Sequence, residues 1–295
     1  MRRVLITGAN KGIGWALAAR MLETVPDAFV LLGSRDLQRG EVAIGRLIER
    51  DASWSDRLAL VSLDVSDDDS VRAAAQWVVE RFGSAPAPLY GIVNNAGVGL
   101  PASDLEPVLQ VNTYGMRRVC EQFLPLLCPD GGRVVNVTSA AGPNYVATCS
   151  AERQGLLIND QVTWDEIEAF MQECLAVSGG PDAFAGLGLG SGSSYGISKA
   201  CANAYTLSLA RSYPGLVVNA CTPGFIETDL TRPIADARGL SPAEMGMKAP
   251  AAGTVSPLFL LFGSPEGTGH YYGSDALRSP LDRYRSPGDP PYTGD

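Results

Sequence analysis

Gly8-Ala9-Asn10-Lys11-Gly12-Ile13-Gly14 decides how this chain is read. The stretch follows the apolar run Arg3-Val4-Leu5-Ile6-Thr7 and leads into Trp15, Leu17, Ala18, Met21 and Leu22, which recur at helical spacing. A strand that turns through glycines into a helix offers bare backbone and a helix N-terminus beyond the strand's carboxyl end. That geometry receives a pyrophosphate. The spacing is G-x-x-x-G-x-G, so the turn needs its strand–turn–helix context to carry the reading.

Outward from the turn, the alternation continues. Residues 29–32 form a second buried strand, Leu37–Arg50 a helix and 58–63 a third strand. Asp67-Asp68-Asp69 opens a helix over 71–82, where acidic side chains suit the N-terminal dipole and need not mark a calcium site. Strands recur at 89–93, 133–137 and 216–220. Strand and helix in this rhythm predict a doubly wound α/β fold of the Rossmann type, a parallel sheet covered on both faces, in one domain over residues 1–278. Two segments depart from the rhythm. Residues 146–192 read as a helical insertion, with Thr163-x-x-Glu166 as a capping box before Ile167, Phe170, Met171 and Leu175. Residues 279–295, with Pro280, Pro287, Pro290 and Pro291, read as an extended or disordered tail.

Composition narrows the function. The chain of 295 residues carries 23 basic and 32 acidic side chains, a net charge of −9, which argues against nucleic acid and anionic membrane as partners. Its best apolar run, 258–262, is far short of a membrane span, and nothing after Arg2-Arg3 resembles a signal peptide. Six cysteines without a C-x-x-C pair read as reduced thiols, so the expected location is the cytoplasm. With His270 as the one histidine, a Ser-His-Asp triad and a histidine-rich metal site are both unsupported, and no metal is expected.

The end of the second strand bears on cofactor choice. NAD enzymes place a carboxylate there for the ribose 2′-hydroxyl; this chain has Ser34-Arg35-Asp36. Arg35 can grip a 2′-phosphate, and Lys11 can reach the same group, unless both are simply solvated cations. Asp36 is explained as a helix N-cap. Further along, Tyr195-Gly196-Ile197-Ser198-Lys199 puts a phenol and an ammonium one turn apart on one helix face, where the charge would lower the phenol pKa toward acid–base use. Ser139 lies just past the strand 133–137, at the edge where such sheets keep their active sites.

In this order the pieces resemble the short-chain dehydrogenase/reductase family, over Thr7 to about Gly273. Asn94-Asn95-Ala96-Gly97 resembles its N-N-A-G segment, Asp64-Val65 its adenine-contacting pair, and Pro223-Gly224-Phe225-Ile226-Glu227-Thr228 its P-G-x-x-x-T segment beside the nicotinamide. Asn112, Ser139, Tyr195 and Lys199 fall where the family keeps its catalytic tetrad. The resemblance implies an NADPH-dependent carbonyl reductase: Tyr195 as proton donor, Ser139 on the carbonyl oxygen, Lys199 on the nicotinamide ribose, and Asn112 holding a water that relays a proton to Lys199. The dinucleotide would lie on Gly8, Asn10, Lys11, Gly12, Ile13 and Gly14, with Arg35, Asp64, Val65, Asn94, Ala96, Gly97, Pro223, Gly224, Ile226 and Thr228. Tyr195 lies 56 positions beyond Ser139, a long interval that is similar to the monomeric carbonyl reductases. There the insertion covers the face through which other members associate, so a monomer is expected. Small or apolar Val98, Leu100, Ala140, Ala141 and Phe225 are the expected walls for a small hydrophobic carbonyl substrate. Two other readings compete: a silent NADP(H)-binding sensor or scaffold, and an alcohol dehydrogenase working in the oxidative direction. His270, Cys221, Trp164 and Phe170 read as structural.

Overall fold

β1 (Arg2–Ile6) pairs in parallel with β2 (Ala28–Ser34), and β2 pairs with β3 (Leu58–Ser62). On its other side β1 pairs with β4 (Gly91–Asn94), followed by β5 (Arg133–Val137), β6 (Val217–Cys221) and a two-residue β7 (Tyr271–Tyr272). The order is β3-β2-β1-β4-β5-β6-β7, in a computed structural model that describes residues 1–99 and 104–294. Strand order reverses between β1 and β4, and a crevice opens at the carboxyl ends of the strands there. The sheet is the doubly wound α/β arrangement that the alternation predicts. Every residue of β2 is buried, as a parallel strand covered on both faces requires.

Among the described residues, twelve α-helices cross over or extend this sheet. On one face lie α1 (Gly12–Thr24) and α2 (Leu37–Arg50), the latter capped by Asp36 as expected. The other face begins with α3 (Asp68–Phe82), capped by Asp67, and continues with α4 (Leu105–Leu109), a π turn Gln110–Tyr114 and α5 (Gly115–Phe123). Beyond β5, α6 (Ala141–Val146) leads into the insertion helices α7 (Ala151–Leu157), α8 (Trp164–Ala176) and α9 (Pro181–Gly186). Then come α10 (Ser194–Ser212), α11 (Arg232–Ala237) and α12 (Val255–Phe262), the last packed beside α1 on the first face.

The insertion explains why α10 is buried nearly all round, from Gly196 to Ala210. A helix buried on every side needs cover on every side, and in α10 the polar Ser198, Lys199, Asn203 and Thr206 are buried with the apolar residues. The sheet, α6, α4 and the π turn supply part of that cover, and α7 and α8 of the insertion add to it. The Thr163–Glu166 capping box forms, and Ile167, Phe170, Met171 and Cys174 of α8 are all buried in the core that contains α10. Trp164 sets its ring edge-on to Tyr114 and Tyr205, with Arg117 4.2 Å above it. Arg211, at the end of α10, donates to the carbonyls of Asp160 and Val162 and so ties the insertion down. None of residues 146–192 lines the central cleft.

Residues 279–294 contain no helix or strand. Arg285 is 6% exposed and paired with Asp275, and it also donates to the carbonyls of Ser286 and Asp289. A buried arginine is held by its partners, which fixes the chain on either side of it. Among the described residues, no helix is long and apolar enough to cross a membrane.

Candidate active site

The glycine turn holds its shape because its neighbours leave no room for side chains. Gly8 and Gly12 have φ of +62° and +57°, where glycine is favoured. A Cβ on Gly14 would lie 2.6 Å from Asn95 Nδ2, and one on Gly8 2.9 Å from the Ala96 Cα. Asn95 is the residue that fixes the turn: its side-chain amide donates to the carbonyls of Thr7 and Gly8, while Thr7 Oγ1 accepts from the amides of Asn95 and Ala96. Lys11 stands at the N-cap of α1 without a side-chain cap, so the first-turn amides face the cleft uncapped.

That cleft encloses about 1530 Å³. Its lining includes Gly8, Asn10, Lys11, Gly12, Ile13, Arg35, Asp64, Val65, Ala96, Gly97, Tyr195, Lys199, Pro223 and Thr228 of the expected residues. It continues as a groove along α1 toward Glu23 and Phe262, away from the titratable cluster. Six expected residues stand back from the lining: Gly14, Asn94, Asn112, Ser139, Gly224 and Ile226. Asn94 is buried in the sheet, donating to Asn136 Oδ1 and Cys120 Sγ; the register that points Asn95 at the turn points Asn94 into the core. Gly14 abuts Asn95, Gly224 abuts Ser274, and Ile226 is buried behind Pro223. Of the expected substrate walls, Val98 lines the cleft; Ala140, Ala141 and the exposed Phe225 do not, and Leu100 lies outside the described residues.

Ser34 is buried and spends its hydroxyl on the Asp36 carbonyl. Arg35 is exposed at the cleft edge and makes no hydrogen bond or ion pair among the described residues. The Asp64 carboxylate accepts from the amide and hydroxyl of Ser66. Burial opposes its charge, yet those bonds and the charge of Arg35 hold it below the usual carboxylate range. Lys11 is not free: its Nζ lies 2.6 Å from Asp229 Oδ2, an acidic partner that the sequence reading did not single out.

At the floor of the cleft, Ser193 caps α10 and sets Tyr195 and Lys199 one turn apart. Lys199 Nζ donates to the Val137 carbonyl at 3.1 Å and stands 5.5 Å from the centre of the Tyr195 ring. The expectation that its ammonium lowers the phenol pKa is corrected here. Burial pushes the Tyr195 hydroxyl up to about 12 against the hydrogen bond from Ser139, because the ammonium lies over the ring face and not beside the oxygen. The same burial brings Lys199 down to about 8. Ser139 Oγ accepts from the Ala141 amide, and its hydroxyl is beside that of Tyr195.

Asn112, in the π turn, is 1% exposed and nearly saturated. Its Nδ2 donates to the Val98 carbonyl and to Ser198 Oγ, and its Oδ1 accepts from the Val98 amide. One Oδ1 lone pair remains. A Cβ on Gly97 would lie 3.4 Å from that oxygen and 3.6 Å from Lys199 Nζ, so glycine keeps open the gap between them. Cys221 is buried below Lys199 with its thiol pushed well up by burial, and His270, lowered by burial, stays outside the cleft.

Known proteins resemble this chain in sequence and in fold. Residues 2–151 match the family model described as short chain dehydrogenase. The chain is 30% identical to carbonyl reductase (NADPH) 1 of Homo sapiens over 281 residues, 90% of this chain and 92% of that one. Menthone neomenthol reductase from Mentha piperita superposes with a TM-score of 0.72 at 26% identity, over 93% of this chain and 99% of that one. Salutaridine reductase from Papaver somniferum shares the fold with a TM-score of 0.74 at 24% identity, over 92% and 99% of the two chains.

Proposed function

Since the chain belongs to the short-chain dehydrogenase family, we propose that it reduces a small hydrophobic ketone, aldehyde or quinone to the alcohol at the expense of NADPH. The observation that carries this reading is that Tyr195, with Ser139 beside its hydroxyl, and Lys199 line the same cleft as Arg35, which has no ion-pair partner among the described residues.

The residues fit the dinucleotide. Three glycines and the uncapped first turn of α1 would take the pyrophosphate, Arg35 the 2′-phosphate, Asp64 and Val65 the adenine edge, and Pro223 and Thr228 the nicotinamide side. Lys199, 3% exposed and bonded to the Val137 carbonyl, retains two hydrogens for ribose hydroxyls. NADPH, when bound, supplies the hydride to the carbonyl carbon.

The chain's own groups manage the oxygen. Ser139 donates to it and stabilises the negative charge that develops there. Tyr195 then gives its proton to that oxygen, leaving the alcohol and a phenolate. A phenol held near 12 is fully protonated at neutral pH, as a proton donor for reduction must be. The ammonium of Lys199, next to the gap at Gly97 and the free lone pair of Asn112, is positioned to return a proton to the phenolate.

Turnover of NADPH with a panel of quinones, aldehydes and ketones tests the activity; no turnover with any of them overturns it. Tyr195→Phe should lower kcat by about a hundredfold to ten-thousandfold, while NADPH affinity stays within a few-fold. Retained turnover in that variant removes Tyr195 as the acid.

A further inference from the structure

Lys11 and Arg35 are the two cations expected at a 2′-phosphate, and they stand in different electrostatic settings. Arg35 has no ion-pair partner among the described residues. Lys11 Nζ is 2.6 Å from Asp229 Oδ2; Asp229 Oδ1 takes Arg232 Nη1 at 2.7 Å, and Arg232 Nε reaches Glu227 Oε1 at 3.1 Å. Lys11 belongs to the glycine turn and Asp229 to the segment after β6, so this chain of charges joins opposite walls of the cleft. Both residues line it. The walls also approach where a Cβ on Gly12 would lie 3.4 Å from Thr228 Cγ2.

We propose that Lys11 and Asp229 form a clasp across the mouth of the dinucleotide cleft that slows cofactor release, and that recognition of the 2′-phosphate falls to Arg35. The inference rests on the dinucleotide reading above. Asp229 is then a positioning residue for the cofactor. Its carboxyl is held below the usual range by the bond from Lys11, so it stays charged through the neutral range. Both partners are more than half exposed, at 54% and 55%. A pair so exposed opens readily, and its loss should change a rate by about two- to fivefold.

Stopped-flow displacement, read from the fluorescence of NADPH and of NADH, tests the clasp. Asp229→Asn and Lys11→Gln should each speed release of both dinucleotides by about two- to fivefold, and the double variant should be no faster than either single one. A clasp does not read the 2′-phosphate, so the factor should be the same for the two cofactors. If Lys11→Gln affects NADPH alone, or Asp229→Asn slows NADPH release, Lys11 is a phosphate ligand and the clasp is overturned. Unchanged release of both cofactors overturns it equally. If the wild-type protein binds neither dinucleotide, the cofactor reading falls and takes the clasp with it.

Discussion

Lys199 must be buried to reach the cleft floor and charged to be of use there, and burial sets those demands against each other. Its pKa near 8 means that the ammonium is lost as pH rises through that value, so kcat/KM for reduction should fall above about pH 8, measured as a pH–rate profile. The stability of the cofactor-free protein should move the other way. Between about 8 and the ordinary lysine value of 10.5 the unfolded chain binds the proton and the native chain does not, so this residue's contribution to stability grows with pH in that window. Lys199→Met should remove that growth in melting curves taken across it. Arg35→Asp should cost NADPH binding about 2–3 kcal/mol, on the order of a hundredfold, and favour NADH; an unchanged ratio in fluorescence titrations would take the 2′-phosphate away from Arg35. At this scale the sequence was legible where chemistry depends on local spacing, as in Tyr195 and Lys199. It was silent on Asn95 and Asp229, whose partners at Thr7 and Lys11 lie 88 and 218 positions away.

Helix α8 shows how one amphipathic element changes what its neighbour must be. Its buried stripe helps to cover α10 on the side away from the sheet, and Phe170, 1% exposed, belongs to that stripe. Phe170→Ala should destabilise the protein by about 3–5 kcal/mol in denaturant unfolding. A cost below about 1 kcal/mol would mean that the stripe is loosely seated. The insertion was legible as helix because its capping box and its period both lie within one short window. β7 was not, since two residues carry no alternation to read, and its existence depends on the ladder offered by β6. Proline content in the tail argues against helix and strand there, while the contact of Arg285 with Asp275 joins residues that no local pattern links.

For the whole molecule, the covered face of α10 leads to an expected monomer. Light scattering after size exclusion should give a mass near 31.1 kDa; twice that value would show that association uses another surface. The other end of the sheet has its own protection. The Ser279 amide donates to the Tyr271 carbonyl, and Arg278 forms an antiparallel bridge with Tyr272, so the chain folds back on its last strand. A sheet border with open amides and carbonyls is a template for strands from other molecules. Here the protein occupies that template with its own following residues, and a chain cut short before Arg278 would present it to every neighbour in a concentrated solution.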